Sequence, residues 1–291
     1  MTSESAPTPL ETEASVRVWM LIAYDGKPFL GFAYQRPEVP TVARELRLPL
    51  ARMIGYEPEI VVAGRTDAGV HAWGQLIHVE LPQRSVDRFG MDRLQLSLNK
   101  QMGPHVVVRD LGLAGEDFHA RYTPIARRYR YTVYNSPVSN PFMLATSWHV
   151  PKPLDIDRMN EASKAILGEH DFTSFCKKRP DAEPEELMIV GDHRPSTSRL
   201  PRGHRVRRIH SAEWFRTADD VIRFDVEAKA FCHQMVRSLV GTLVQIGVGK
   251  FPVGYMKETL EGRSRVRIPT PAPPEGLCLW EVVLPENTLK P

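Results

Sequence analysis

The chain has 291 residues, of which 42% are hydrophobic and 25% charged, with a net charge of +3. That balance excludes a disordered chain, and the mild charge excludes a global field that would drive the whole molecule onto nucleic acid. The charge is uneven, however: six arginines and three histidines lie between His193 and His210 with no acidic residue among them, just after an acidic stretch from Asp181 to Asp192. This leaves room for a local basic surface.

The N-terminal M-T-S-E-S-A-P-T-P-L-E-T-E-A has neither a basic start nor an apolar centre, so residues 1–15 read as a flexible tail rather than a signal peptide. V-R-V-W-M-L-I-A-Y (16–24) is an apolar strand, followed by turn chemistry in D-G-K-P-F-L-G. Thr41 is placed to cap a helix that stops at Gly55, and Pro49 inside it is expected to kink or split it. Strands follow at 58–63 and 73–81, then a helix at about 85–102 and the strand H-V-V-V-R-D-L-G-L.

A long alternating strand, I-A-R-R-Y-R-Y-T-V-Y, opens the second half, with M-L-A-T-S-W-H-V as a pairing candidate. An amphipathic helix runs from an Asp155 cap to Gly168. Two strands at about 205–216 and 221–229 lead into a helix at 232–248, a shorter helix and the final strand G-L-C-L-W-E-V-V-L. Antiparallel hairpins dominate and the halves carry similar elements in similar order. The expected class is therefore α+β, with lobes at 16–124 and 125–285 and a cleft between them. The stretch 177–204 reads as a loop insertion in the second lobe. Cys176, Cys232 and Cys278 are distant in sequence and form no C-x-x-C pair, so reduced, buried thiols of a cytosolic protein are expected, without a metal site. The apolar stretch Met235–Val248 is too short and too interrupted to span a bilayer.

The chemistry concentrates in G-R-T-D-A-G-V-H-A (64–72). Gly64 and Gly69 have the spacing of a phosphate-binding loop, but Val70-His71 stands where a lysine and a hydroxyl are needed, so that reading fails. Asp67 with His71 would suit a metal-dependent hydrolase, although no third ligand has recognisable spacing. A simple Asx turn is the blandest alternative. R-R-Y-R-Y (127–131) sets Arg127, Tyr129 and Tyr131 on one strand face and Arg128 and Arg130 on the other, an interleaving that suits RNA phosphates and bases. His233, Arg237 and Gly241 fall four residues apart on one helical stripe, and an arginine among apolar neighbours calls for an anionic partner.

Taken in order, G-R-T-D-A-G-V-H-A with G-Q-L-I-H, F-H-A-R with A-R-R-Y-R-Y, G-E-H-D-F-T-S-F, F-C-H-Q-M-V-R-S-L-V-G-T-L and A-P-P-E-G-L-C-L closely resemble the tRNA pseudouridine synthase A family. The match runs from about Val16 to Val283. The resemblance implies an isomerase that converts uridine to pseudouridine at positions 38, 39 and 40 in the anticodon arm of tRNA. It also implies two pseudo-symmetric α/β lobes, a homodimer and no cofactor. Asp67 matches the family's catalytic aspartate, Tyr129 its active-site tyrosine, Arg65 the arginine beside the aspartate and Arg237 the basic residue of the late helix.

On this reading Asp67 is the nucleophile and Arg237 pairs with it from the second lobe. Arg65 fills the space left by the extruded base, and Tyr129 lies against the flipped uracil and later helps remove the proton at C5. Arg121, Arg127, Arg128 and Arg130 take backbone phosphates, with His71 among the substrate contacts. F-A-Y-Q (32–35), Pro49, Cys278 and the long 177–204 stretch depart from the family pattern. An RNA-binding module without turnover is the principal alternative, and the intact Asp67 argues against it.

Overall fold

The computed structural model describes residues 14–177, 205–217 and 220–289. The expected tail and insertion fall almost entirely outside the described residues. Those residues carry, in order, β1 (Ser15–Tyr24), α1 (Val42–Ile54), β2 (Val61–Val62), β3 (His71–Pro82), α2 (Gln83–Phe89), α3 (Met91–Met102), β4 (Val106–Ala114) and β5 (Ala126–Tyr134). The chain continues with β6 (Trp148–His149), α4 (Ile156–Ser163), β7 (Gly168–Asp171), β8 (Val206–Arg216), β9 (Val221–Ala228), α5 (Met235–Gly247), α6 (Tyr255–Glu261) and β10 (Leu277–Val283). The class is α+β, as the alternating patterns imply.

The strands form a single sheet in the order β4-β1-β3-β10-β5-β9-β8-β7, with β2 beside β3 and β6 beside β5. Pairing is antiparallel except at β5–β6 and at the junction of the two halves, where β10 runs parallel to β3 over Cys278–His71 and Leu279–Ala72. The last strand thus completes the second half and welds it to the first. Alternation dictates what each face of β5 and β9 carries. Tyr129, Tyr131 and Val133 lie opposite Val226, Phe224 and Ile222 in a buried layer, while Arg128 and Arg130 lie opposite Glu227 and Asp225 on the other face.

Local chemistry explains most boundaries. Thr41 Oγ1 accepts the Arg44 N–H at 3.3 Å, a cap worth about 1 kcal/mol, and α1 closes at Gly55. Pro49 neither kinks the chain out of helical assignment nor splits α1; it is buried with Leu46 and Leu50, and the core contact offsets the lost backbone bond. The single helix expected at 85–102 is two, α2 and α3, broken at Gly90. The expected strand at 58–63 shrinks to the two residues of β2.

The thiol expectation is also corrected. Cys176 and Cys232 are joined as a disulfide, with Cα atoms 5.6 Å apart, and Cys278 is the free cysteine. Fifty-six residues separate the pair, so only the tertiary fold brings the loop after β7 to the turn before α5. No helix among the described residues is long and apolar enough to cross a membrane.

Candidate active site

The 64–70 turn closes the β2–β3 hairpin and is held at almost every residue. Thr66 is buried, its hydroxyl 2.8 Å from the Tyr24 hydroxyl, and its carbonyl accepts the Phe32 N–H at 3.1 Å. The buried Gln75 amide donates to the Gly64 carbonyl at 2.7 Å and to the Tyr24 hydroxyl at 3.3 Å. The Val70 N–H returns to the Asp67 carbonyl at 3.1 Å. Gly69 has φ +76, and a Cβ there would stand 2.9 Å from Pro274 Cγ, so both conformation and space require glycine. Asp67 is half-buried, its side chain 27% exposed and turned toward the neighbouring segment.

The opposing wall is the segment 231–237. The Phe231 ring meets Tyr129 edge-on at 5.1 Å, and Cys232 is tied to Cys176. The His233 carbonyl accepts the Lys177 N–H at 2.9 Å, while its Nε2 stands 3.3 Å from Asp67 Oδ1. Gln234 is left-handed, with φ +61, and its Oε1 accepts from Arg265 at 3.3 Å. Met235 is fully buried.

The helix therefore begins at Met235 rather than at residue 232, and the expected i, i+4 stripe is broken. A left-handed turn takes its place and still brings His233 and Arg237 to the same carboxylate. His233 is the site residue that the sequence reading passed over: the stripe drew attention to it but supplied a role only for Arg237.

Arg237 Nη1 lies 4.0 Å from Asp67 Oδ2. Its orientation is fixed by Nε, which donates to the Ala272 carbonyl at 2.7 Å, while the Ala272 N–H donates to the Arg237 carbonyl at 2.9 Å. The same strap, residues 270–276, takes the Tyr131 hydroxyl on Pro273 O at 2.8 Å and presses Pro274 against Gly69. One irregular segment thus braces both the turn and the helix.

Tyr129 is buried, and its phenol is held far above the ordinary range, first by burial and then by the neighbouring Tyr24 and Asp67. It stands in the site as a neutral ring with a hydroxyl to donate. Arg65 is exposed at the tip of the turn. Arg121 is exposed too, its guanidinium 5.7 Å from the Tyr122 ring centre, at the end of a stack in which His119 lies 4.4 Å from Tyr122.

The other three arginines are placed differently from the sequence expectation. Arg127 is buried, and its guanidinium donates to the carbonyls of Pro124, Ala63, Arg121 and Lys229 at 2.7–3.4 Å. It cannot reach a phosphate; it joins the base of the Asp67 hairpin to F-H-A-R and to the end of β9. Arg128 pairs with Glu227 and Glu281, and Arg130 grips Asp225 with two bonds of 2.7 and 2.8 Å beneath Trp280. Both point to the sheet face opposite Tyr129, so they do not line the Asp67 site.

His71 is turned toward Asp25 and Gly26. Its Nδ1 lies 3.1 Å from the Gly26 nitrogen and 3.2 Å from Asp25 Oδ1. An unprotonated nitrogen suits only the first contact, and we take it as the acceptor because the amide always donates. Asp67 and His71 are thus not assembled as a catalytic pair, and among the described residues no group of three His, Cys, Asp or Glu side chains is placed to hold a metal ion. A concavity of about 870 Å³ is lined by Trp73, Trp280 and Arg130, with neither Asp67 nor Arg237 in its wall.

Comparison with known proteins places the chain in a family. A family described as tRNA pseudouridine synthase matches residues 162–285. The tRNA pseudouridine synthase A of Hyphomonas neptunium is 37% identical over 270 residues, covering 92% of this chain and 98% of that protein. Those of Brevibacillus brevis and Pseudoalteromonas atlantica are 34% and 35% identical, covering 92% and 95% of this chain and 99% and 95% of the relatives. With the relatives matched along nearly their whole length, the chain belongs to the tRNA pseudouridine synthase A family.

Proposed function

We infer that this protein is an isomerase that converts uridine in tRNA to pseudouridine, at positions 38, 39 and 40 of the anticodon arm. The observation that carries the reading is a carboxylate on a rigid turn, faced by an imidazole and a guanidinium from a separate element and bordered by a buried tyrosine. The reaction breaks the C1′–N1 bond and forms C1′–C5; the C5 proton leaves and N1 gains one, so the oxidation level is unchanged. Asp67 supplies the nucleophilic carboxylate. Arg237 fixes and compensates its charge across the cleft.

A uridine in a stem is extruded at a cost of a few kcal/mol, and Arg65, at the exposed tip of the turn, takes the vacated position in the stack. Tyr129 offers a neutral, buried surface against the extruded uracil. A phenol so strongly held in its protonated form supports packing and hydrogen bonding before any role as a base. Arg121, beside Tyr122, supports backbone phosphate contact. The chain works as a homodimer in the cytoplasm on this reading. Support for a second copy is the face bearing Trp73, 46% exposed, and Trp280, rings that stack 6.2 Å apart beside the concavity.

The test is tritium release from tRNA carrying C5-tritiated uridine, comparing wild type with Asp67→Asn. Release by wild type alone supports the isomerase with Asp67 at its centre. Binding of tRNA by both without release points to the RNA-binding module instead.

A further inference from the structure

We propose that His233 is a positioning residue for the nucleophile: it holds the Asp67 carboxylate by Oδ1 while Arg237 faces Oδ2. The inference rests on Asp67 being the nucleophile and adds a second residue that sets its orientation. The terminal torsion of an aspartate is broad and nearly two-fold, so a carboxylate addressed from one side can still rotate. Here His233 Nε2 stands 3.3 Å from one oxygen and Arg237 Nη1 4.0 Å from the other, which limits that rotation and leaves His233 with the shorter contact.

The backbone around His233 is built to keep it there. Cys232 is tied to Cys176, the His233 carbonyl takes the Lys177 N–H, Gln234 is left-handed, and Met235 is sunk in the core. A left-handed residue other than glycine is strained, and it persists because the surroundings over-determine it. The effect of this strain is to turn the chain so that the residue before Gln234 and the residue three after it meet one carboxylate. A surface histidine with no task would need none of these restraints.

The experiment measures single-turnover tritium release from C5-tritiated tRNA, tRNA affinity by filter binding, and melting temperature. The proteins are wild type, Asp67→Asn, His233→Ala, His233→Phe and His233→Gln. Phe keeps the ring volume without a donor; Gln places an N–H near the position of Nε2. We expect the Ala and Phe variants to lose rate roughly ten- to hundred-fold, as misplacement of a reacting group does. Affinity and melting temperature should hold, and Gln should recover most of the rate.

Wild-type rates in His233→Ala beside an inactive Asp67→Asn would overturn the proposal alone. So would a Gln variant no faster than Phe, or losses that simply follow a lowered melting temperature. An Asp67→Asn protein as fast as wild type would instead overturn the assignment of the nucleophile, and this proposal with it.

Discussion

Gly241 and Ala272 meet backbone to backbone. A Cβ at position 241 would lie 3.1 Å from the Ala272 nitrogen and 2.6 Å from the Thr270 carbonyl. This close approach is what lets Arg237, one turn earlier on α5, exchange two hydrogen bonds with Ala272. Gly241→Ala should therefore push the strap away, costing roughly 1–3 kcal/mol as overpacking does. It should also lower the turnover rate by more than the loss of folded protein explains. Melting curves and single-turnover rates on the same sample check this; a rate that merely follows the folded fraction would count against the strap as Arg237's brace.

Arg127 predicts a stability effect where its sequence context suggests RNA binding. Its removal leaves carbonyls of Ala63, Arg121, Lys229 and Pro124 without their charged donor. Arg127→Ala should cost at least about 2 kcal/mol, and Arg127→Lys should recover little, since a compact ammonium cannot span the same acceptors. Urea denaturation measures the cost. A folded, stable Ala variant with only weakened tRNA binding would restore the phosphate reading.

Arg121 should behave in the opposite manner. Being exposed beside Tyr122, its replacement by Ala should leave stability and turnover of bound tRNA unchanged while weakening binding. The slope of log affinity against log salt should flatten by about 1, the signature of one lost phosphate contact.

His78 predicts a pH dependence. It is buried, and its Nδ1 accepts the Ala120 N–H at 3.0 Å, an arrangement available only to the neutral ring. Burial first, then the charges of His119 and Arg17, lower its pKa from 6.5 to about 4. Above pH 6.5 the ring is neutral folded or unfolded and contributes no pH dependence. Between 6.5 and 4 the unfolded chain binds a proton that the folded one refuses, so stability falls as pH falls, by up to roughly 3 kcal/mol. His78→Asn, whose amide oxygen can accept the same bond at every pH, should flatten that part of the curve. Urea midpoints at pH 7, 5.5 and 4.5 decide it.

Much of this was readable before the fold was known, for physical reasons. Alternation assigned the two faces of β5 correctly, because a period of two is a local property. Thr41 and Gly55 bounded α1 for the same reason. The reading failed where the deciding partner is remote. That Arg127 would be buried depends on carbonyls as far away in sequence as Ala63 and Lys229. The Cys176–Cys232 link depends on two loops that meet only in the tertiary structure. Gln234 was hidden differently: nothing in F-C-H-Q-M-V-R announces a left-handed glutamine, and helical periodicity alone pointed to an earlier start for α5.

The position of β10 has a consequence for how the molecule acquires activity during synthesis. β3, which follows the Asp67 turn, is made early, but its neighbour on the second-half side is the last strand described. Such pairing between remote segments is slow to form because loop closure precedes any reward. A nascent chain can fold its first hairpins and still lack the strap, the α5 wall and the weld between the halves. Asp67 and the two side chains that face it, His233 and Arg237, therefore belong to halves whose direct strand pairing waits for the C-terminal strand, so the sheet that carries both is complete only when the last strand has been made.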